Sequence, residues 1–215
     1  MIYDMMTTLR KNLRREENSI RNEQKEWMTL IDTKGKVHKK HTDRNTDSVY
    51  ISPKTFNKIN RITNNQTILT HNHPYETLGN LAVPSSFSPN DLYTAIVLNL
   101  AGVRAVDPVY TYIIKRPKKG WPKIGSAKKF TDELMKIDSN TRKYWKKMVN
   151  EGKMDLYTYE RDIAHYVARE FAKHLGLPYV RNKRKGMGYK RMPITEIPDW
   201  YKPQTHKGKT TKSKR

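Results

Sequence analysis

Two histidines and an aspartate stand where they could bind a metal ion together. His71 and His73 end an apolar run, Ile68-Leu69-Thr70, that is typical of a buried strand, and alternate residues of a strand face the same side. Asp91 follows on the first turn of the next predicted helix. Two imidazoles and one carboxylate are a ligand set of catalytic zinc, which keeps its fourth position for water. The pattern therefore predicts a zinc hydrolase with Zn2+ bound by His71, His73 and Asp91.

The residues around Asp91 also have a purely structural interpretation. The run Ser88-Pro89-Asn90-Asp91 is typical of a helix start, with Ser88 as the N-cap, Pro89 as the first helical residue and Asp91 as the third. The two interpretations are compatible, because an aspartate on the first turn can face a metal while the serine caps the helix. A His-x-His pair alone is weak evidence, and only its combination with this helix start favours a metal site.

The hydrophobic pattern predicts an α+β arrangement of short strands and amphipathic helices. Residues 26–32 and 36–41 are predicted to form a β-hairpin around the turn Thr33-Lys34-Gly35, and residues 75–87 an irregular segment. The other predicted strands are residues 49–51, 67–71, 103–106 and 109–114. The predicted helices are residues 8–25, on the surface, and residues 53–62, 88–101, 129–149 and 155–175.

The order of these motifs resembles the JAMM (JAB/MPN) zinc metalloprotease family. The shared features are an early strand bearing an acid, a strand ending in His71-Asn72-His73-Pro74, and a helix that begins with Ser88-x-x-Asp91. The His-Asn-His-Pro motif is most similar to RadC-like proteins and to JAB domains associated with phage head-morphogenesis proteins. The resemblance covers roughly residues 22–116. It implies a JAB/MPN-like (cytidine-deaminase-like) mixed β-sheet flanked by helices.

The resemblance also implies a role for each motif residue. The three candidate metal-binding residues match the zinc ligands of the family, and Ser88 matches the serine that helps stabilise the tetrahedral intermediate. The catalytic glutamate lies on an early strand, where Glu26 is the first candidate and Glu23 the second. The interval between His73 and Ser88 is longer than is usual in the family, and we interpret the extra residues as an insertion beside the site.

Composition indicates a strongly basic protein without thiol chemistry. The 215 residues include 43 Lys and Arg against 21 Asp and Glu, for a formal charge of +22. Such an excess favours contact with polyanions, usually nucleic acid. There are no cysteines, which excludes disulfides and cysteine-ligated zinc. No signal peptide or membrane-spanning run is recognised, so we expect a soluble, cytoplasmic protein without membrane contact.

Four segments are predicted along the chain, and the last is the most basic. They are an N-terminal charged segment (1–21), a JAB/MPN-like zinc domain (22–116), a helical C-terminal extension (117–180) and a basic, largely disordered tail (181–215). The tail is expected to bind DNA or RNA, with contacts from Arg181, Lys183, Arg184, Lys185, Lys190 and Arg191.

Two functions follow as hypotheses from these segments. The first is a JAMM-type zinc metallopeptidase or isopeptidase, acting on a protein or peptide and encoded by a phage or mobile element. In that case we expect it in the host cytoplasm or in the virion. The alternative is a RadC-like nucleic-acid-associated protein, or a packaged phage DNA-binding protein, with a non-proteolytic metal site. The complete ligand set favours the first hypothesis, and the charge favours the second.

Overall fold

The protein is built around a six-stranded mixed β-sheet with helices on both faces. The computed structural model describes residues 2–43, 52–63, 66–73, 76–78, 81–83 and 86–186. The strands are β1 (Trp27–Asp32), β2 (Val37–Thr42), β3 (Thr67–Asn72), β4 (Glu76–Leu78), β5 (Leu81–Val83), β6 (Gly102–Val106), β7 (Tyr110–Lys115) and β8 (Tyr179–Lys183). The helices are α1 (Ile2–Ile20), α2 (Pro53–Thr63), α3 (Pro89–Val97), α4 (Ala127–Asn150) and α5 (Leu156–His174). The prediction of an α+β fold with a mixed sheet flanked by helices is confirmed.

The strand order places the histidine-bearing strand near the middle of the sheet. The order is β2-β1-β3-β6-β7-β8, while β4 and β5 form a separate two-stranded sheet. Strands β3 and β6 run parallel, and the other neighbours in the large sheet run antiparallel. Both flanks of β3 are therefore hydrogen-bonded, which holds the end of that strand in a fixed position.

One face of the sheet forms the main core with α3, α4 and α5. Alternate residues of the strands supply it, because side chains on a strand point to opposite faces in turn. The segment predicted as a helical extension packs into this same core. Fully or almost fully buried members include Leu30, Leu69, Val103, Tyr112 and Ile114 from the strands, and Leu92, Leu134, Ile163 and Phe171 from the helices.

The opposite face is covered by α1. Leu13 and Ile20 of this helix are buried, and Glu17 accepts a hydrogen bond from Arg104 of β6. At the β1–β2 turn, Gly35 has a φ of +92°, and a Cβ built on it would lie 3.1 Å from the backbone of Leu9. The expectation that residues 8–25 form a surface helix was wrong in this respect: the helix begins at Ile2, and one side of it is buried.

Three predictions differ from the structure by more than a shift of one or two residues. The segment predicted as irregular contains β4 and β5, which pair as an antiparallel hairpin; the signal missed was Gly79-Asn80, a residue pair typical of two-residue hairpin turns. Helix α3 ends at Val97 rather than near residue 101, because Asn99 adopts a left-handed conformation with φ of +48°. The basic tail was predicted to begin at residue 181, but residues 181–183 belong to β8, which pairs with β7.

Some predictions concern residues that the structure does not describe. The strand predicted at residues 49–51 and most of the tail, residues 187–215, lie outside the described residues. Within the described part of the chain, no helix combines the length and the apolar character that crossing a membrane requires.

Candidate metal centre

The two histidines meet at the end of β3. His71 pairs with Met28 of β1 on one side and with Ala105 of β6 on the other, and its side chain is almost completely buried. Because His73 follows two residues later, its imidazole faces the same side. The two Nε2 atoms are 3.0 Å apart, and the rings meet edge to face at an interplanar angle of 76°. Two ring nitrogens therefore converge on one point.

Asp91 completes this group from the first turn of α3. Its Oδ1 lies 3.3 Å from Nε2 of His71, and its Oδ2 lies 3.5 Å from Nε2 of His73. Burial works to raise the pKa of Asp91, but attraction to His71 and hydrogen bonds from both histidines outweigh it and hold that pKa well below its usual range. The carboxylate is therefore ionised, as a metal ligand must be.

The separations within this group fit the coordination shell of a small cation. In a tetrahedral zinc site with bonds of 2.0–2.1 Å, neighbouring ligand atoms are about 3.3–3.4 Å apart. The Nε2–Nε2 distance of 3.0 Å and the two imidazole–carboxylate distances of 3.3 and 3.5 Å are each close to that value, with a different oxygen of Asp91 beside each imidazole. The residues present are thus compatible with a metal bound by His71, His73 and Asp91, and that ligand assignment stays a prediction.

Glu26 lies on the same side of the sheet as the histidines. It immediately precedes β1, whose antiparallel register pairs Met28 with His71. Continuing that register by two residues brings Glu26 opposite His73. Its carboxylate and the two imidazoles form a possible metal-binding group, with ligand atoms within 4.8 Å of one another, and its side chain is buried. Glu23, the second candidate, is exposed, and only its backbone carbonyl has a described contact with β3.

Ser88 is bound to the candidate ligand Asp91 rather than turned towards open space. The Ser88 hydroxyl donates a hydrogen bond to Oδ2 of Asp91 at 2.8 Å and accepts one from the Asp91 backbone N–H at 3.2 Å. The backbone N–H of Ser88 donates to the same Asp91 oxygen at 2.7 Å. This is the predicted capping box. The carboxylate is therefore oriented by Ser88. The role of Ser88 towards an oxyanion stays a prediction.

Asn72 is a positioning residue that the sequence analysis missed. It lies between the two histidines, so its side chain faces the opposite side of β3. Its amide donates to the backbone carbonyls of Glu23 and Lys25 and accepts the N–H of Trp27 at 2.7 Å. These three bonds hold the segment that carries Glu26. The available signal was an amide between two candidate ligands at the end of a strand predicted to be buried, since a buried amide needs partners.

The ring of His71 is held by packing. Its Nδ1 is buried, and no described residue hydrogen-bonds to it. The Phe87 ring lies tilted against the imidazole, with ring centroids 6.4 Å apart. Phe87 itself is buried and immediately precedes Ser88. The segment leading into α3 therefore supports both the histidine and the aspartate.

The predicted nucleic-acid contacts lie apart from this centre. Arg181 is in β8, where it donates to Asp162 of α5 at 2.7 Å. Lys183 ends the same strand, and Arg184 and Lys185 follow it directly. Lys190 and Arg191 lie outside the described residues. The contact assignment for this group stays a prediction.

Comparisons with protein-family models, with curated proteins and with solved structures find no match for this chain.

Proposed function

We propose that this protein is a zinc-dependent metallopeptidase or isopeptidase of the JAMM type. The observation that carries the proposal is the convergence of His71, His73 and Asp91 at 3.0–3.5 Å, with the buried Glu26 beside them. Neutral imidazoles and a carboxylate leave part of a tetrahedral shell open, which is the arrangement of catalytic rather than structural zinc.

Zinc is the metal that the ligand types favour. Imidazole nitrogen suits zinc, whereas magnesium and calcium take oxygen ligands almost exclusively. Copper, nickel and iron(II) also accept imidazole and carboxylate, so the choice of zinc depends in addition on the JAMM resemblance. Bound here, zinc would lower the pKa of a coordinated water to about 7 and polarise a substrate carbonyl.

Glu26 is the residue that would move protons. A carboxylate beside the metal ligands can accept a proton from the attacking water and then donate it to the leaving amine, which makes cleavage of an amide feasible. Asp91 would be fixed as a ligand by Ser88, and Asn72 would hold the Glu26 segment in place. Amide hydrolysis needs both proton transfers, so the role of Glu26 is the central feature of the mechanism.

A second candidate function is supported by charge alone. A formal charge of +22 favours a polyanionic partner, and a RadC-like or packaged DNA-binding protein would need no hydrolysis at its metal site. The two candidates differ in one property, which is whether the metal-loaded protein cleaves amide bonds.

Replacement of the proposed proton carrier tests the function. We expect Glu26→Gln to retain zinc and to lose hydrolysis of peptide and isopeptide substrates, because the amide cannot carry the proton. The matched control is Glu23→Gln, which removes the same charge three residues away and should remain active. Zinc is measured by elemental analysis and cleavage by mass spectrometry of a peptide and isopeptide library. An active Glu26→Gln with an inactive Glu23→Gln would reassign the acid, and no cleavage by zinc-loaded wild type would contradict the proposal.

A further inference from the structure

An open cavity lies between α5 and β8. Its volume is about 510 Å³, and the charged residues described as lining it are Arg169, Lys173 and Arg181, with no acidic side chain among the described residues of the lining. Tyr179 and Leu177 contribute its less exposed part. Three cationic side chains around one concavity make it a candidate site for an anion.

Two of these cations are weakly neutralised by the protein itself. Arg181 is bound to Asp162 at 2.7 Å, but Arg161 binds the same carboxylate, so the charge of Arg181 is partly compensated. Among the described residues, the carboxylate that pairs with Arg169 and Lys173 is that of Glu170, at 3.5 and 3.9 Å. Their side chains are 50% and 79% exposed. One distant carboxylate does not compensate two cations, so the cavity keeps an excess positive charge.

The base of the cavity adds hydrogen-bonding groups without charge. The hydroxyl of Tyr179 lies 2.8 Å from Nδ1 of His165. Burial, reinforced by the charge of Arg181, lowers the pKa of His165 to about 4, and burial raises the pKa of Tyr179 to about 12. Both groups are therefore neutral near pH 7, and the excess charge of the cavity comes from α5.

The cavity lies on the same face of the sheet as the metal centre. Through successive strand pairs, His71 is in register with Ala105, Ala105 with Tyr112, and Tyr112 with Arg181. Residues in register across neighbouring strands face the same side. Three strand spacings separate His71 from Arg181, which is about 14–15 Å. Phe87 bridges part of this distance, with ring centroids 6.4 Å from both His71 and Tyr179.

We propose that this cavity, lined by Arg169 and Lys173, binds an acidic side chain of the peptide substrate of the metal centre. The inference rests on the proposed peptidase function. Ala105 and Tyr112, which lie between the two sites, are buried in the core, so a substrate must pass around them. An extended peptide advances about 3.3 Å per residue, so the acidic residue lies at least about four residues from the scissile bond. The substrate class is thus a peptide or protein segment with a glutamate or aspartate at that separation.

The cavity fits a peptide better than a nucleic acid. Binding of single-stranded nucleic acid combines cations with aromatic rings on which bases stack. Tyr179 is the aromatic residue in the described lining besides the imidazole of His165, and those two rings stack on each other at 5.5 Å. Phe87 packs edge to face against the same tyrosine. The described rings therefore offer little surface to a base, whereas two flexible cations suit a single carboxylate.

Binding and cleavage of matched peptides test this inference on the full-length, zinc-loaded protein. The probes are a fluorescein-labelled peptide with a run of glutamates and the same peptide with glutamines, followed by fluorescence anisotropy, with mass spectrometry of the same samples. The double variant Arg169→Gln with Lys173→Gln should weaken binding of the acidic peptide by about tenfold and leave the glutamine peptide unchanged. The control is the double variant Lys147→Gln with Lys153→Gln, which removes the same amount of positive charge. These two lysines lie near the N-terminal end of α5, and that end is about 20 Å along the helix from Arg169.

The outcomes separate this inference from the proposed function. Loss of acidic-peptide binding in the cavity variant alone supports the cavity, even if no probe is cleaved and the peptidase proposal fails. Equal loss in both variants, or no loss, overturns the cavity proposal even if peptides are cleaved. A labelled single-stranded oligonucleotide is run in parallel. If the cavity variant weakens the oligonucleotide and not the acidic peptide, the ligand is a nucleic acid and the proposal is overturned.

Discussion

Asn72 illustrates how one side chain on the face of β3 opposite the histidines organises the candidate metal centre. Strand alternation sends His71 and His73 to one side and Asn72 to the other. The two histidines can therefore converge while the amide binds the backbone of residues 23–27. The His-Asn-His order thus positions two candidate ligands and the adjacent Glu26. A leucine at position 72 would keep the alternation but would leave those backbone groups without the amide.

At the same scale, Ser88→Ala distinguishes two roles of the serine hydroxyl. Because that hydroxyl orients Asp91 and caps α3, we expect weaker zinc binding and a loss of stability of about 0.5–2 kcal/mol. Ser88→Thr should restore both properties. Zinc affinity is measured by competition with a chelating dye, and stability by urea unfolding. Unchanged zinc affinity with a reduced kcat would contradict the orienting role and favour direct oxyanion stabilisation.

The elements around the site are arranged by close backbone contact as well as by apolar packing. Gly102 begins β6 beside β3, and a Cβ built on it would lie 2.9 Å from the carbonyl oxygen of Ile114 in β7. That oxygen belongs to the backbone of a paired strand, so moving it would disturb the sheet and reduce stability. The close approach of β6 to β7 at the start of β6 therefore favours glycine at this position.

Gly102→Ala should consequently destabilise the protein by about 1–3 kcal/mol through overpacking. The matched control is Gly125→Ala, whose added Cβ would have the Lys129 side chain as its nearest neighbour, at 3.6 Å. We expect the control to be neutral or slightly stabilising. Urea unfolding of both variants measures the difference. Equal stability of the two variants would show that the β6–β7 contact relaxes without cost.

Sequence alone predicted most elements that build the site, for identifiable physical reasons. Strand β3 and helix α3 carry strong local signals, namely an apolar run ending in two histidines and a Ser-Pro helix start. The buried side of α1 and the membership of residues 181–183 in β8 depend on partners distant in sequence, which local patterns do not encode. The bonds of Asn72 to residues 23–27 also needed the register of β1 against β3, which a single sequence does not reveal.

At the scale of the whole molecule, the candidate metal centre and the basic C-terminal residues belong to different segments of the chain. The candidate metal centre lies between β3, α3 and the start of β1, whereas the terminal residues 187–215 are rich in lysine and arginine. We therefore treat polyanion binding and hydrolysis as separable properties. An acidic substrate would also be attracted by the overall charge of +22 before it reaches the cavity beside α5.

Deletion of residues 187–215 should weaken sequence-independent binding to DNA or RNA and reduce its dependence on salt, because fewer counterions are released. The zinc content should not change, since every candidate ligand lies upstream. Gel-shift titrations of full-length and shortened protein at several salt concentrations measure the effect. Equal affinity of the two proteins would indicate that nucleic acid contacts other basic residues, namely residues 115–129 and Lys143, Lys146 and Lys147 of α4.

The metal content of the purified protein tests the proposed zinc site most directly. We predict about one zinc per chain in protein prepared without chelators, and loss of that zinc in His71→Ala, because a three-residue protein ligand set cannot spare one imidazole. The matched control is His174→Ala, which removes an exposed histidine paired with Glu133 at 2.9 Å and should keep its zinc. Zinc is measured by elemental analysis beside circular dichroism spectra of all three proteins. Folded wild-type protein that contains no zinc, and takes up none when zinc is added, would contradict the proposed zinc site.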